Sequence, residues 1–84
     1  MENSIEIMGY EPDIFNLQTL CKSLGIKYNT HSSHDLKGFK VIHFNIAEHD
    51  THLFLLSVPN GKLVRFDEYM GDIGDNACVY WYHG

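Results

Sequence analysis

Long apolar runs and basic residues are both scarce in this sequence of 84 residues. No run approaches the roughly 20 apolar residues that a membrane-spanning helix needs. The first residues, MENSIEIMGYEPD, are acidic and have neither the basic start nor the apolar core of a secretory signal. We therefore expect a cytoplasmic protein that has no membrane partner.

Cysteine is also scarce, since Cys21 and Cys78 are the only two and lie far apart in the sequence. Without a secretory signal, two such residues are expected to stay free thiols rather than to form a disulfide. A buried free cysteine usually serves as a small apolar side chain. No motif in the sequence calls for a cofactor, and we predict none.

Lysine and arginine are absent from residues 1–21 and from residues 66–84, and each of these blocks carries four acids. Residues 22–40 form the one basic block, with four lysines and one acid, although the whole chain has a net charge of −5. An acidic surface repels phosphate, so the charge disfavours nucleic acid as a partner. The lysines are interpreted as ordinary solvated side chains.

Apolar periodicity predicts one helix, which has Pro12 in its first turn and stops at Gly25. Four apolar residues are spaced 3, 4 and 3 apart, as on one face of an amphipathic helix: Ile14, Leu17, Cys21 and Leu24. Proline suits the first turn of a helix and glycine its C-terminal stop.

Alternating or continuous apolar residues predict strands at residues 4–8, 39–46, 51–58, 63–66 and 77–82, with a further short strand at 26–28. Residues 47–50 are predicted to form a turn, and the Pro-Asn-Gly sequence at 59–61 a tight hairpin turn, so that residues 39–66 would form a continuous meander. We therefore predict an α+β fold: a single small domain over residues 1–84 with one amphipathic helix packed on an antiparallel sheet of about four to five strands.

Histidine is concentrated in one part of the chain, because five of the six histidines lie between residues 31 and 52. His49 and His52 are three residues apart, as are His31 and His34. Such a pair shares a metal on a helix or tight turn but points to opposite faces of a strand. Because His52 lies in a predicted strand, and the acids after residue 66 lack calcium-loop spacing, we predict no metal site.

The stretch HLFLLSVPNGKLVRFD resembles the His-to-Asp hairpin of papain-like cysteine peptidases. The resemblance implies a cysteine hydrolase in which Cys21, His52 and Asp67 act together. In those peptidases the thiol lies at a helix N-terminus, where the dipole lowers its pKa, whereas Cys21 falls near the end of the predicted helix. A cysteine hydrolase, or a metal protein that uses His49 and His52, is the alternative function.

The aromatic C-terminal strand and the acids before it form the main candidate binding surface, because Trp and Tyr supply much of the binding energy at interfaces. The predicted binding residues are Asp67, Glu68, Tyr69, Asp72, Asp75, Tyr80, Trp81 and Tyr82. We expect a small acidic binding protein without enzymatic activity, an inhibitor or adaptor that occludes a surface of a larger protein partner. The acidic charge would best match a basic surface on that partner. Immunity proteins and phage-encoded anti-defence proteins are small acidic domains of this kind, and a homodimer is a further alternative.

Overall fold

The structure, a computed structural model, describes residues 2–33, 37–58, 62–65 and 77–83. Its elements are β1 (Glu2–Tyr10), α1 (Glu11–Ser23), β2 (Tyr28–Ser32), β3 (Phe39–Ala47), α2 (Glu48–Ser57), β4 (Lys62–Arg65) and β5 (Ala77–His83). The strands form one sheet in the order β2-β3-β1-β5-β4. The predicted α+β fold, with a helix packed on a mainly antiparallel sheet, is confirmed.

Strand β1 lies at the centre of the sheet. It pairs antiparallel with β3 along its whole length, from Glu2 opposite Ala47 to Tyr10 opposite Phe39. On its other side it pairs parallel with β5, and this pair departs from the otherwise antiparallel pairing of the described strands. Antiparallel β4 forms the edge beyond β5, and α2 connects β3 to that distant edge.

Helix α1 has the boundaries that its sequence predicts. Pro12 lies in the first turn, and Glu11 and Asp13 complement the positive end of the helix dipole. At the other end Gly25 takes a left-handed φ of 71°, which a side chain would make unfavourable. The N–H of Gly25 donates to the carbonyl of Lys22 and that of Ile26 to the carbonyl of Cys21, the hydrogen bonds of a Schellman stop.

Helix α2 corrects the largest error of the sequence interpretation. Residues 51–58 are predicted as a strand and 47–50 as a turn, but Glu48–Ser57 is a helix, so the meander over residues 39–66 does not form. Leucine favours helix, and Glu48 and Asp50 stabilise the first turn. Asn3 on β1 donates from Nδ2 to Thr51 Oγ1 at 3.0 Å, which attaches the new helix to the sheet.

Both helices pack on the same face of the sheet and enclose the core. The buried cluster consists of Ile5, Ile7, Ile14, Leu17, Cys21, Ile42, Phe44, Ile46, Phe54, Tyr80 and Tyr82.

In the described ranges, neither helix is long and apolar enough to cross a bilayer. The short strand predicted at 26–28 lies slightly later, as β2, and the predicted turn at 59–61 falls outside the described residues.

Candidate functional site

The sheet face opposite α1 and α2 is the candidate site, and we call it the uncovered face because no described helix packs on it. Strand residues alternate between the two faces, and cross-strand partners share a face. The core face is marked by Ile5, Ile7 and Tyr80. Strands β1, β3 and β5 therefore contribute the following residues to the uncovered face: Ser4, Glu6, Met8, Tyr10, Phe39, Val41, His43, Asn45 and Trp81.

Among the described residues, three aromatic side chains meet at one end of the uncovered face, and we call them the aromatic platform: Tyr10, Phe39 and Trp81. Tyr10 ends β1 directly opposite Phe39, the first residue of β3. Trp81 pairs with Met8, two residues before Tyr10 on the same face. The sheet register thus brings together side chains from three strands.

The rings of the platform are in direct contact. The Phe39 centroid lies 4.5 Å from that of Tyr10 and 5.2 Å from that of Trp81. Tyr10 and Trp81 meet edge to face at 6.2 Å. These distances fall in the range of favourable aromatic pairs, so the rings support one another as one apolar surface.

The platform residues and their neighbours on the same face differ in exposure. Val41 is buried and Met8 half-buried beside it, whereas Tyr10 is 43% exposed and Phe39 and Trp81 are half-buried. A contiguous apolar patch on a small protein marks an interaction site more often than a scattered apolar residue does. Rigid aromatic side chains also lose little conformational freedom when a partner covers them.

A polar strip continues the uncovered face beside the platform. Ser4 and His43 are joined by a hydrogen bond of 3.0 Å between Oγ and Nε2. Glu6 is exposed and lies directly opposite His43 in the register. The strip therefore places a carboxylate and hydrogen-bonding groups next to an apolar surface, which is the usual composition of an interface rim.

The predicted binding residues divide into three groups. Trp81 is on the uncovered face, whereas Tyr80 and Tyr82 are only 8% and 1% exposed and belong to the core, so they offer no surface for a partner. Burial, together with the negative charge of Asp13, raises the pKa of Tyr82 above its usual value. Asp67, Glu68, Tyr69, Asp72 and Asp75 lie outside the described residues.

The two described residues of the proposed catalytic group, Cys21 and His52, lie on different helices, one buried and one exposed. Cys21 is fully buried on the core side of α1, and burial raises the pKa of its thiol to about 11, the opposite of what an activated nucleophile needs. His52 is exposed on α2, and Asp67 lies outside the described residues. Because residues 51–57 are helical, the hairpin of the papain-like resemblance is absent.

The histidine pair is placed differently from the sequence interpretation. His49 and His52 both lie on α2, where residues three apart are neighbours on one side. The described ranges nevertheless contain no group of three or more His, Cys, Asp or Glu side chains arranged to hold a metal. His49 Nε2 instead lies 3.5 Å from Asp50 Oδ1 at the surface.

Two residues of the platform, Tyr10 and Phe39, are missed by the sequence interpretation. Their signal is present in the alternation of β1 and β3. Along β1, Tyr10 falls on the face that does not carry Ile7, and along β3, Phe39 falls on the face that does not carry Ile42. The chain matches no family model, no curated protein and no solved structure.

Proposed function

We propose that this chain is a non-enzymatic binding protein that occludes a basic surface of a larger protein partner, as an inhibitor or adaptor. The observation that carries the proposal is the aromatic platform on the uncovered face of the sheet. Partner binding would cover Trp81, Phe39 and Tyr10 together and withdraw their apolar surface from water.

The platform suits a flat partner surface rather than an inserted side chain. Rings whose centroids are 4.5 and 5.2 Å apart fill the space between one another, so no cage for a cationic group exists between them. Aromatic residues in the centre of an interface are frequent anchors, and truncating one weakens binding by about 2 kcal/mol or more. That loss corresponds to about a 30-fold rise in Kd.

Charge favours a basic partner over a second copy of this chain. Glu6 lies exposed on the uncovered face, and the net charge is −5, so two copies that met through this face would repel each other. Lys40 is on the other side of β3, where its Nζ lies 5.4 Å from the ring centroid of Phe15. A basic partner would be attracted over a distance by the acidic field, which raises the association rate.

Affinity capture in low and high salt tests this proposal, with the organism's own proteins as the source of partners. We expect capture of a basic protein by the native chain, weaker capture in 0.5 M salt, and loss of capture by Phe39→Ala. Phe15→Ala is the matched control, because it removes an exposed phenylalanine from the helix side. Equal capture by both variants, or capture indifferent to salt, would contradict the proposal.

Light scattering separates the partner from self-association. We expect a monomer near 9.7 kDa at low salt, because the acidic faces repel each other. A dimer that Phe39→Ala converts to monomer would show that the platform is a contact between copies of this chain. That result would replace the basic partner as the occupant.

A further inference from the structure

Helix α2 is apolar on two sides, and only one of them faces the core. Phe54 is buried at 1% exposure, with its ring centroid 4.7 Å from that of Phe44 on β3. Leu53 and Leu56 are 56% and 71% exposed. Helix residues three apart share a side, so these two leucines form an outward apolar stripe that the described chain leaves uncovered.

A cleft of about 160 Å³ lies beside this stripe, between the end of α1 and α2. The lining residues are Leu24, Ile26, Ile46, Asp50, Leu53 and Phe54. Asp50 is the single charged residue among them; its side chain is 54% exposed, and its Oδ1 lies 3.5 Å from Nε2 of the more exposed His49. Leu24 is also partly open to solvent at 42%, so the described walls of the cleft present apolar atoms to the outside.

We propose that this cleft receives one aliphatic side chain of a protein partner, and that a basic residue next to that side chain pairs with Asp50. The volume is below the roughly 300–1,000 Å³ of sites that bind small molecules, but it suits a single anchoring side chain. The apolar lining selects an aliphatic group, and the carboxylate of Asp50 selects the charge of its neighbour.

The cleft is a second surface, separate from the aromatic platform. It lies on the helix side of the sheet at Ile46, near the end of β3, whereas the platform lies on the uncovered face at Phe39, where β3 begins. A result at one surface therefore leaves the other untouched, and the two proposals can fail independently.

Capped dipeptides test the cleft directly when they are titrated against the protein labelled for methyl NMR. The probes are N-acetyl-Leu-Arg-amide, N-acetyl-Leu-Glu-amide and N-acetyl-Ala-Arg-amide. We expect Leu-Arg to shift the methyl signals of Leu24, Leu53 and Ile46 at millimolar concentration. The Ala probe should bind at least about tenfold more weakly, as expected for lost methyl groups in an apolar pocket. The Glu probe should bind about two- to fivefold more weakly, in line with an exposed ion pair.

Two leucine variants and one charge variant complete the test. Leu53→Ala should remove the shifts, whereas Leu56→Ala should leave them unchanged, because Leu56 is on the same helix but does not line the cleft. Asp50→Asn should abolish the preference for Leu-Arg over Leu-Glu and retain the preference for Leu over Ala. Signals that no probe moves, or shifts that both leucine variants reduce equally, would overturn the proposal.

Discussion

The pair Phe54→Ala and Leu56→Ala tests the helical conformation of residues 48–57 most sharply. Residues two apart share a face of a strand but lie about 200° apart on a helix. A strand would therefore bury both side chains or neither. The helix buries Phe54 to 1% exposure and leaves Leu56 71% exposed, so the two substitutions must differ greatly in effect.

The expected difference follows from burial. Phe54 is the one residue of α2 that is fully buried, and removing such a ring destabilises a protein by about 3–5 kcal/mol. A chain of this length has a total free energy of unfolding of about 4–13 kcal/mol, so the loss is a large share. Leu56 has little buried surface to lose, and its replacement should change the free energy of unfolding by less than about 1 kcal/mol.

Urea and thermal denaturation followed by far-ultraviolet circular dichroism provide the measurement. At about 4–8 °C for each kcal/mol in a domain of this size, Phe54→Ala should lower Tm by at least about 12 °C. Leu56→Ala should remain close to the native chain. Similar losses for the two variants would refute the helix and restore the strand that the sequence predicts.

Four further predictions concern the core, the buried thiol and the platform. Gly9→Ala places a Cβ only 2.8 Å from the backbone carbonyl oxygen of Tyr82, so we expect the free energy of unfolding to fall by about 1–3 kcal/mol. An unchanged Tm would contradict the pairing of β1 with β5. Cys21 should resist alkylation in the folded protein and react after unfolding in urea, and peptide-resolved mass spectrometry would follow this reaction. Fast reaction of the native thiol would contradict its burial. Because burial raises the pKa of the Cys21 thiol from 9.0 to about 11, its contribution to stability is present below pH 9 and is lost as the pH rises through 11, which denaturation at pH 8 and 10.5 should show. Trp81 is the single tryptophan and shares a face with the negatively charged Glu6. Relative to N-acetyltryptophanamide, its fluorescence should therefore be quenched more by the cation caesium than by the anion iodide. The reverse order would contradict the face assignment.

Much of the fold is predictable because several elements have one clear periodicity. Helix α1 and strands β1 and β3 each have an apolar side that matches their period of 3.6 or 2. Helix α2 is not predictable in this way, because its outward leucines remove the contrast between its sides. Two interactions with residues distant in sequence stabilise α2 instead: the contact of Phe54 with Phe44 and the hydrogen bond from Asn3 to Thr51. The local sequence of residues 48–57 does not reveal either interaction.

The candidate site is predictable only in part. The aromatic strand β5 points to Trp81, but a strand with aromatics on both faces does not show which face is buried. The register settles this, because Tyr80 pairs with core Ile7 and Trp81 with Met8. Tyr10 and Phe39 are far apart in sequence and become neighbours only through the pairing of β1 with β3.

The claim that the uncovered face binds the partner is tested most directly by an NMR footprint of the bound protein. The captured basic protein, unlabelled, would be added to the labelled chain, and the perturbed signals would be mapped on the sheet. We expect the largest changes at Met8, Tyr10, Phe39 and Trp81, with the exposed side chain of Phe15 on α1 unaffected. Changes confined to the helix side, with the four uncovered-face signals unmoved, would contradict it.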